Sequence, residues 1–335
     1  MKRAGHLFER AAAFPALLAA YERARRGKQE RPSVERFTRL LEPELLRLEE
    51  ELLLGTYRPG ATVAFEVHEP KRRLIEVAPF RDRVVHHAVT GALAPWLERG
   101  MDPDSYGCRV GKGTDGALAR ARELARRSPA CLRGDVSAFF ASVSHDVLLR
   151  QLGRLFKDRR LLVLLERIVR AGGHDGRGLP IGHLTSQWFA NLYLTPLDRF
   201  VRALEPVTGY VRYMDDLVVF GRERRVLRGV REEIARFLAE RLDLAENARV
   251  TQVFATRAGF PFLGFRVSRA GLRVRRPTWR RMVKGLGRRE RELRRGRLSE
   301  AELQASGESL VAHLRRADSL ALRRAHFARE PPVVW

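Results

Sequence analysis

The stretch Val211-Arg212-Tyr213-Met214-Asp215-Asp216-Leu217-Val218-Val219-Phe220 decides how this sequence is read. Apolar runs flank a short centre, the pattern of two strands joined by a tight hairpin. That centre carries two adjacent carboxylates, which repel one another when held together. Asp is also a common turn residue. Taken alone, the stretch is compatible with a solvated turn or with a pair of acids held for chemistry.

A second acid occupies a similar place 80 residues upstream. In Leu132-Arg133-Gly134-Asp135-Val136-Ser137-Ala138-Phe139-Phe140, a carboxylate ends an apolar strand and precedes two aromatics. Strand-end acids of this kind can converge on hard divalent cations. Mg²⁺ takes oxygen ligands, typically one or two carboxylates plus substrate phosphates. Two such ions about 3.5–4 Å apart suit an in-line displacement at phosphorus.

Working outward, residues 1–60 read as helical, with a leucine stripe of helical period over 40–53 that closes at Gly55 and the Tyr57-Arg58-Pro59-Gly60 turn. Short strands are expected over 62–68 and 73–77, a helix over 82–97, a glycine-punctuated loop over 102–116 and a helix over 118–127. Residues 145–171 read as helix, 172–178 as a glycine-rich break and 186–201 as a buried helix. A charged amphipathic helix is expected over 222–241 and two further strands over 250–267. His86-His87 falls on a helix with no acid or cysteine at ligand spacing and reads as structural.

The 335 residues are 44% hydrophobic and 31% charged, which supports a packed core and excludes global disorder. Lys+Arg number 64 against 40 Asp+Glu, a formal charge of +24, so the expected partner is a polyanion. Residues 273–335 hold 17 of the bases and 7 of the acids, a net +10 that suits a segment gripping nucleic acid. Cys108 and Cys131 are too few for a disulfide framework or a four-thiolate zinc site. No run approaches the length of a membrane span. The alanine-rich run over 11–20 reads as a helix, since Glu9 and Arg10 abut it and Pro15 interrupts it. A cytoplasmic setting without membrane attachment is expected.

The Tyr-Met-Asp-Asp tetrad 213–216, with Asp135 followed by Phe139-Phe140, resembles the catalytic palm of a reverse transcriptase. Other blocks fall in that family's order. Lys71-Arg72-Arg73-Leu74-Ile75 with Phe80-Arg81-Asp82-Arg83, and Ser105-Tyr106-Gly107-Cys108-Arg109 with Gly111-Lys112-Gly113-Thr114, resemble its fingers motifs. Gly178-Leu179-Pro180 resembles the motif before the palm helix, and Phe262-Leu263-Gly264-Phe265 the primer-grip region.

The resemblance implies roles for individual residues. Asp135 and Asp215 would bind two Mg²⁺ ions, for which Mn²⁺ can substitute, with the Val136 carbonyl as a further ligand and Asp216 as a third, peripheral carboxylate. Lys71 and Arg73 would meet the deoxynucleotide triphosphate, where fixed positive charge offsets developing negative charge. Arg72 competes for that task, and the choice within the triplet stays open. Phe140 falls at the aromatic that excludes a ribose 2′-hydroxyl, with Phe139 as the core aromatic. Arg109, Phe262, Leu263 and Gly264 would contact template and primer. Arg249 stands near the lysine that related enzymes carry before the Phe-Leu-Gly block.

One block departs from the common pattern. Where most reverse transcriptases have Gln-Gly and later Ser-Pro, this chain reads Pro180-Ile181-Gly182-His183-Leu184-Thr185-Ser186-Gln187. That form resembles the reverse transcriptases of diversity-generating retroelements, which are prokaryotic or phage-encoded. The resemblance implies copying of a template-repeat RNA into cDNA with errors directed at adenine. It also implies a small, basic, oligomeric accessory variability protein as partner. Ile181 and Gln187 would then border the nucleotide, and an isoleucine, unable to hydrogen-bond the sugar, would loosen its positioning. A minimal group II intron-like reverse transcriptase is the alternative, and a non-catalytic RNA-binding or defence protein on the same scaffold is a further one. No maturase or endonuclease extension is expected after the last segment.

The implied fold is α+β, a right-hand polymerase. Residues 1–134 would form the fingers with an N-terminal helical extension, 135–146 palm, 147–179 fingers and palm helices, 180–272 palm, and 273–335 a short helical thumb.

Overall fold

The computed structural model describes residues 3–68 and 72–328. In chain order the elements begin with α1 (Phe8–Ala12), α2 (Phe14–Arg25), α3 (Pro32–Arg39) and α4 (Leu41–Leu53). Then come β1 (Val63–Val67), β2 (Arg73–Val77), α5 (Phe80–Gly100), α6 (Gly113–Arg127) and β3 (Ala130–Asp135). They continue through α7 (Phe139–Ser142), α8 (His145–Leu155), α9 (Arg159–Arg170), α10 (Leu184–Ala203), β4 (Val207–Tyr213), β5 (Asp216–Gly221) and α11 (Arg224–Leu242). Last are β6 (Gln252–Ala255), β7 (Phe260–Phe262), β8 (Phe265–Val267), β9 (Leu272–Val274), α12 (Arg276–Arg294), α13 (Glu300–Leu314) and α14 (Leu320–Phe327). The chain is thus a mixed helix-and-sheet fold. It divides into two compact units, one of residues to Pro103, Val136–Phe200 and Ala235–Glu246, the other of Asp104–Asp135, Val201–Ile234 and the chain from Asn247.

In the first unit, α2 packs with both α5 and α4, and Tyr21, Phe37 and Phe80 form an aromatic cluster with ring centroids 5.2–6.1 Å apart. Asp82, in the first turn of α5, holds the 57–60 turn by accepting from Tyr57 Oη and Gly60 N, both at 2.7 Å. The expected single helix over 145–171 is two helices. Asp158 breaks it: one carboxylate oxygen caps α9 by accepting from Leu161 N at 3.2 Å. Its other oxygen accepts from Leu7 N and Phe8 N at 3.1 and 2.9 Å, tying the N-terminal segment to the same point. β1 and β2 form an antiparallel pair, and Glu76 N donates to Ile181 O at 2.8 Å, fixing the 180–183 turn on β2.

The second unit is built on an antiparallel four-stranded sheet in the order β4-β5-β3-β6. A three-stranded sheet, β7-β8-β9, adds Phe260, Phe262, Phe265 and Val267 to one core with Leu118, Ala121 and Leu124 of α6. The expected pair of strands over 250–267 is therefore three short strands shared between two sheets. β9 crosses the boundary expected at 272/273, and the helical segment begins at Arg276. Its helices are tied to the sheet: Thr278 Oγ1 donates to Gly264 O at 3.1 Å, Asp318 N to Leu272 O at 3.0 Å, and His313 stacks on Phe265 at 4.8 Å. α13 opens with a capping box from Ser299 and Glu302. Among the described residues, no helix is long and apolar enough to cross a membrane.

Candidate active site

The tetrad sits on a two-residue hairpin, as expected. Tyr213 pairs with Asp216, leaving Met214 and Asp215 as the connection between β4 and β5. A two-residue hairpin favours positive φ at its first central residue, where glycine is usual. Met214 takes that conformation at φ 55°, an uncommon state for a side-chain-bearing residue and one that its surroundings must impose. They do so from two directions. The wholly buried Arg212 donates from Nη1 to Met214 O at 3.1 Å. Gly107 lies so close that an added Cβ would stand 2.8 Å from Met214 N.

β3 runs beside β5 with Asp135 directly opposite Asp216. Residues opposite one another in a ladder share a face, so both carboxylates project on one side, next to the turn that carries Asp215. Gly134 permits this pairing: a Cβ there would meet Leu217 Cδ1 at 2.9 Å. Asp135 is held at both ends. Asn247 Nδ2 donates to its Oδ2 at 2.9 Å, and Asn247 N donates to its backbone oxygen at 2.7 Å.

Asp216 is engaged by a cation. Arg133, two residues before Asp135 on the same face of β3, donates from Nε to Asp216 Oδ1 at 3.1 Å and from Nη2 to Oδ2 at 3.4 Å. Burial pushes the Asp216 carboxyl up to about 7 against the pull of Arg133, and Asp135 and Asp215 raise it further. The three carboxylates therefore feel one another. Arg133 sets a positive charge directly against Asp216.

This donor set fits a divalent cation of the hard, oxygen-seeking kind. Asp135 keeps Oδ1 outside its bond to Asn247, and Asp215 stands at the adjacent turn. Among the described residues no three His, Cys, Asp or Glu side chains form a cluster able to hold a metal. An open site of one or two carboxylates, completed by a phosphate-bearing substrate, is how Mg²⁺ is commonly held.

The remaining residues of the second unit fall into two places. Arg109 donates from Nη1 to Ser105 O at 2.8 Å and is half-buried in the loop before α6. Phe262 is buried in the core, Leu263 takes φ 46°, and Gly264, at φ 87°, accepts from Thr278. The Phe-Leu-Gly block is thus a tight β7–β8 turn joined to α12.

The nucleotide-handling candidates all belong to the first unit. Arg72 is drawn off by Glu66, with Nε 2.9 Å from Oε2. Arg73 is exposed on β2, and its side chain makes no hydrogen bond or ion pair with a described residue. Lys71 lies outside the described residues. Phe139 is buried while its neighbour Phe140 is half-exposed. Val136, following Asp135, is buried. Ile181 is half-buried, and Gly182 at φ 121° lies against Glu76 O, which a Cβ would approach to 2.6 Å. Gln187 lies in the first turn of α10, half-buried, and its side chain makes no hydrogen bond to a described residue. Behind that turn, His183 faces His86 at 5.1 Å, and burial pushes the His86 pKa down to about 3.

A family model described as reverse transcriptase (RNA-dependent DNA polymerase) matches residues 67–267. The chain belongs to the reverse transcriptase family. Among curated relatives it is similar to Protein YkfC of Escherichia coli (strain K12), 28% identical over 273 residues, covering 68% of this chain and 71% of that protein. It also resembles the group II intron-encoded protein LtrA of Lactococcus lactis subsp. cremoris, 24% identical over 174 residues, covering 49% of this chain and 29% of that one. Apo telomerase from Candida tropicalis, truncated from its C-terminal domain, superimposes with a TM-score of 0.51 at 11% identity, covering 64% of this chain and 55% of that chain. At that identity the likeness is one of fold. The chain spans about three-tenths of the intron-encoded relative and about half of the telomerase chain.

Within this reverse transcriptase, sequence reasoning missed Arg133, Asn247, Arg212 and Gly107. Arg133 carried a usable signal: a cation two residues from Asp135 on a buried strand shares its face. Asn247 carried none, being 112 residues away from the carboxylate it holds.

Proposed function

We propose that this protein is an RNA-directed DNA polymerase that extends a primer by nucleotidyl transfer, and that it is of the diversity-generating type. The observation that carries the activity is the placement of Asp135 opposite Asp216 beside the Asp215 turn, in a chain of the reverse transcriptase family. Bound Mg²⁺ or Mn²⁺ would supply Lewis acidity, lowering the pKa of the primer 3′-hydroxyl and offsetting charge on the leaving pyrophosphate. Asp135 and Asp215 would hold the ions, with the Val136 carbonyl completing the protein's share. Asn247 orients Asp135 by occupying one of its oxygens. The Arg133–Asp216 pair keeps a third carboxylate from adding its full negative charge beside the other two.

Arg73 is the described member of its triplet left without a partner and would meet the triphosphate, with Lys71 beside it in sequence. Phe140 would exclude a 2′-hydroxyl and so select deoxynucleotides. Arg109 and the 262–264 turn would contact the template and primer, and the arginines after 273 the backbone of an RNA/cDNA duplex, which is read mainly through phosphate and shape. In right-hand terms, 135–146 with 180–272 would act as palm, 1–134 and 147–179 as fingers and connecting helices, and 273–335 as thumb.

The diversity-generating reading rests on Ile181 through Gln187. An apolar Ile181 offers the sugar no hydrogen bond, and weaker positioning discriminates less between correct and incorrect pairs. A template-repeat RNA and a basic accessory variability protein would then be partners. The likeness to LtrA favours a second reading, a minimal group II intron-like enzyme. Primer extension on a defined RNA template tests the activity, and cDNA sequencing separates the two readings. The first expects misincorporation concentrated opposite template adenines, relieved by Ile181→Gln. An error spectrum without adenine bias, unchanged by Ile181→Gln, overturns it.

A further inference from the structure

A cavity of about 450 Å³ opens in the first unit between α8, Pro196 of α10 and the last turns of α11. Its size is that of a small-molecule site. None of the candidate active-site residues lines it.

Three exposed arginines do: Arg150 and Arg154 of α8 and Arg241 of α11. None of their side chains makes a hydrogen bond or ion pair with another described residue. Their neighbours on α9 behave differently. Arg170 is paired with Glu166 and Asp146 at 2.8 and 3.1 Å, and Arg167 donates to Gly55 O at 2.7 Å. Glu240 is the one carboxylate on the cavity wall, so the rim keeps a net positive charge. Arg150 and Arg154 stand one helical turn apart, about 6 Å, a spacing that engages more than one anionic group.

The wall itself is not that of a bare anion trap. Phe237 lines it and is braced by Phe200, the rings stacked 4.4 Å apart at 15°. Gln151 also lines it, more than nine-tenths buried, with Nε2 donating to Tyr193 O at 3.2 Å and Oε1 accepting from no protein donor. Guanidinium groups bind phosphate oxygens through charge-assisted bonds. A braced aromatic offers a surface to a base.

We infer that this cavity is a nucleotide-binding site separate from polymerisation, taking phosphates on Arg150, Arg154 and Arg241 and a base beside Phe237. The nucleotide is either free or one unit of a single-stranded RNA. The inference stands apart from the polymerase reading, because no residue is shared.

The full-length protein would be titrated with ADP and, separately, with an eight-nucleotide single-stranded RNA, both without divalent cation. The variant Arg150→Ala/Arg154→Ala/Arg241→Ala is compared with Arg222→Ala/Arg224→Ala/Arg225→Ala, which removes the same charge from exposed arginines elsewhere. Irradiation with 8-azido-ADP, or with the RNA carrying one azido-adenosine, followed by peptide mapping, locates the base. Tenfold or greater weakening in the cavity variant alone, with cross-links in 147–154 or 237–242, is expected, while primer extension stays as in the unaltered protein. Such loss with ADP assigns a free nucleotide; such loss with the RNA alone assigns a strand. Equal weakening in both variants, cross-links only elsewhere, or displacement of ADP by inorganic phosphate at equal concentration would overturn the inference.

Discussion

Replacing Gly107 by alanine tests whether the 213–216 hairpin is held from below. The new Cβ would stand 2.7 Å from Met214 Cγ and 2.8 Å from Met214 N. The methionine side chain can swing aside, but the backbone nitrogen cannot. Ordinary contact begins at 3.4 Å, so full relief asks the turn to retreat by about 0.6 Å. Arg212 opposes that movement through its bond to Met214 O. Relief therefore rotates the turn rather than translating the sheet, and Asp215, the next residue, moves with it. A misplacement near 1 Å costs on the order of 100-fold in rate; a shift of this size is expected to lower kcat roughly tenfold. Overpacking also costs about 1–3 kcal/mol of stability. Single-nucleotide primer extension at saturating deoxynucleotide measures the first, and urea unfolding the second. Adding Met214→Ala should recover part of the stability, since it frees the side-chain contact, but little of the rate, since the contact with nitrogen remains. A Gly107→Ala protein with kcat within twofold of the unaltered protein and unchanged stability would refute the reasoning.

Gly182→Ala meets a comparable obstacle on the nucleotide-handling side, with a Cβ 2.6 Å from Glu76 O at a backbone φ of 121°. It is expected to detach the 180–183 turn from β2 and raise the apparent KM for deoxynucleotides more than tenfold in steady-state primer extension. His86→Leu should reduce acid lability. His86 is held neutral, its pKa pushed from 6.5 to about 3, so the unfolded chain binds the extra proton and stability falls as pH drops from 6.5 towards 3. Between pH 7 and pH 5 that loss is about 2 kcal/mol. Urea unfolding at both values should show the difference shrink by about that much in the variant.

The hairpin was legible because its turn and the adjoining ends of both strands lie within ten consecutive residues, 211–220, where apolar runs and spacing act locally. Asp135 was legible for the same reason: an apolar strand ends at it. The split of 250–267 was not, because strands of three or four residues carry too little periodicity to be told apart. The break between α8 and α9 turns on Asp158, whose carboxylate caps one helix while binding backbone from residues 7 and 8. The pairings that tune the candidate site lie further off. Arg133 meets Asp216 across 83 residues, and Asn247 meets Asp135 across 112. Which strands become neighbours sets those contacts, and no local pattern encodes it. Gly107 looked like one glycine of a punctuated loop, and its demand for a bare Cα emerges from what packs against it.

Asp135 and Asp215 are the residues proposed to hold the divalent cation that supports polymerisation. The most direct measurement is incorporation of one deoxynucleotide on an RNA template by Asp135→Asn and Asp215→Asn, each confirmed as folded, across a Mg²⁺ titration. Asparagine keeps the size and one oxygen while removing the charge, so at least 1,000-fold loss is expected in both (about 4 kcal/mol), not restored by more Mg²⁺. Incorporation within tenfold of the unaltered protein in either variant would contradict it.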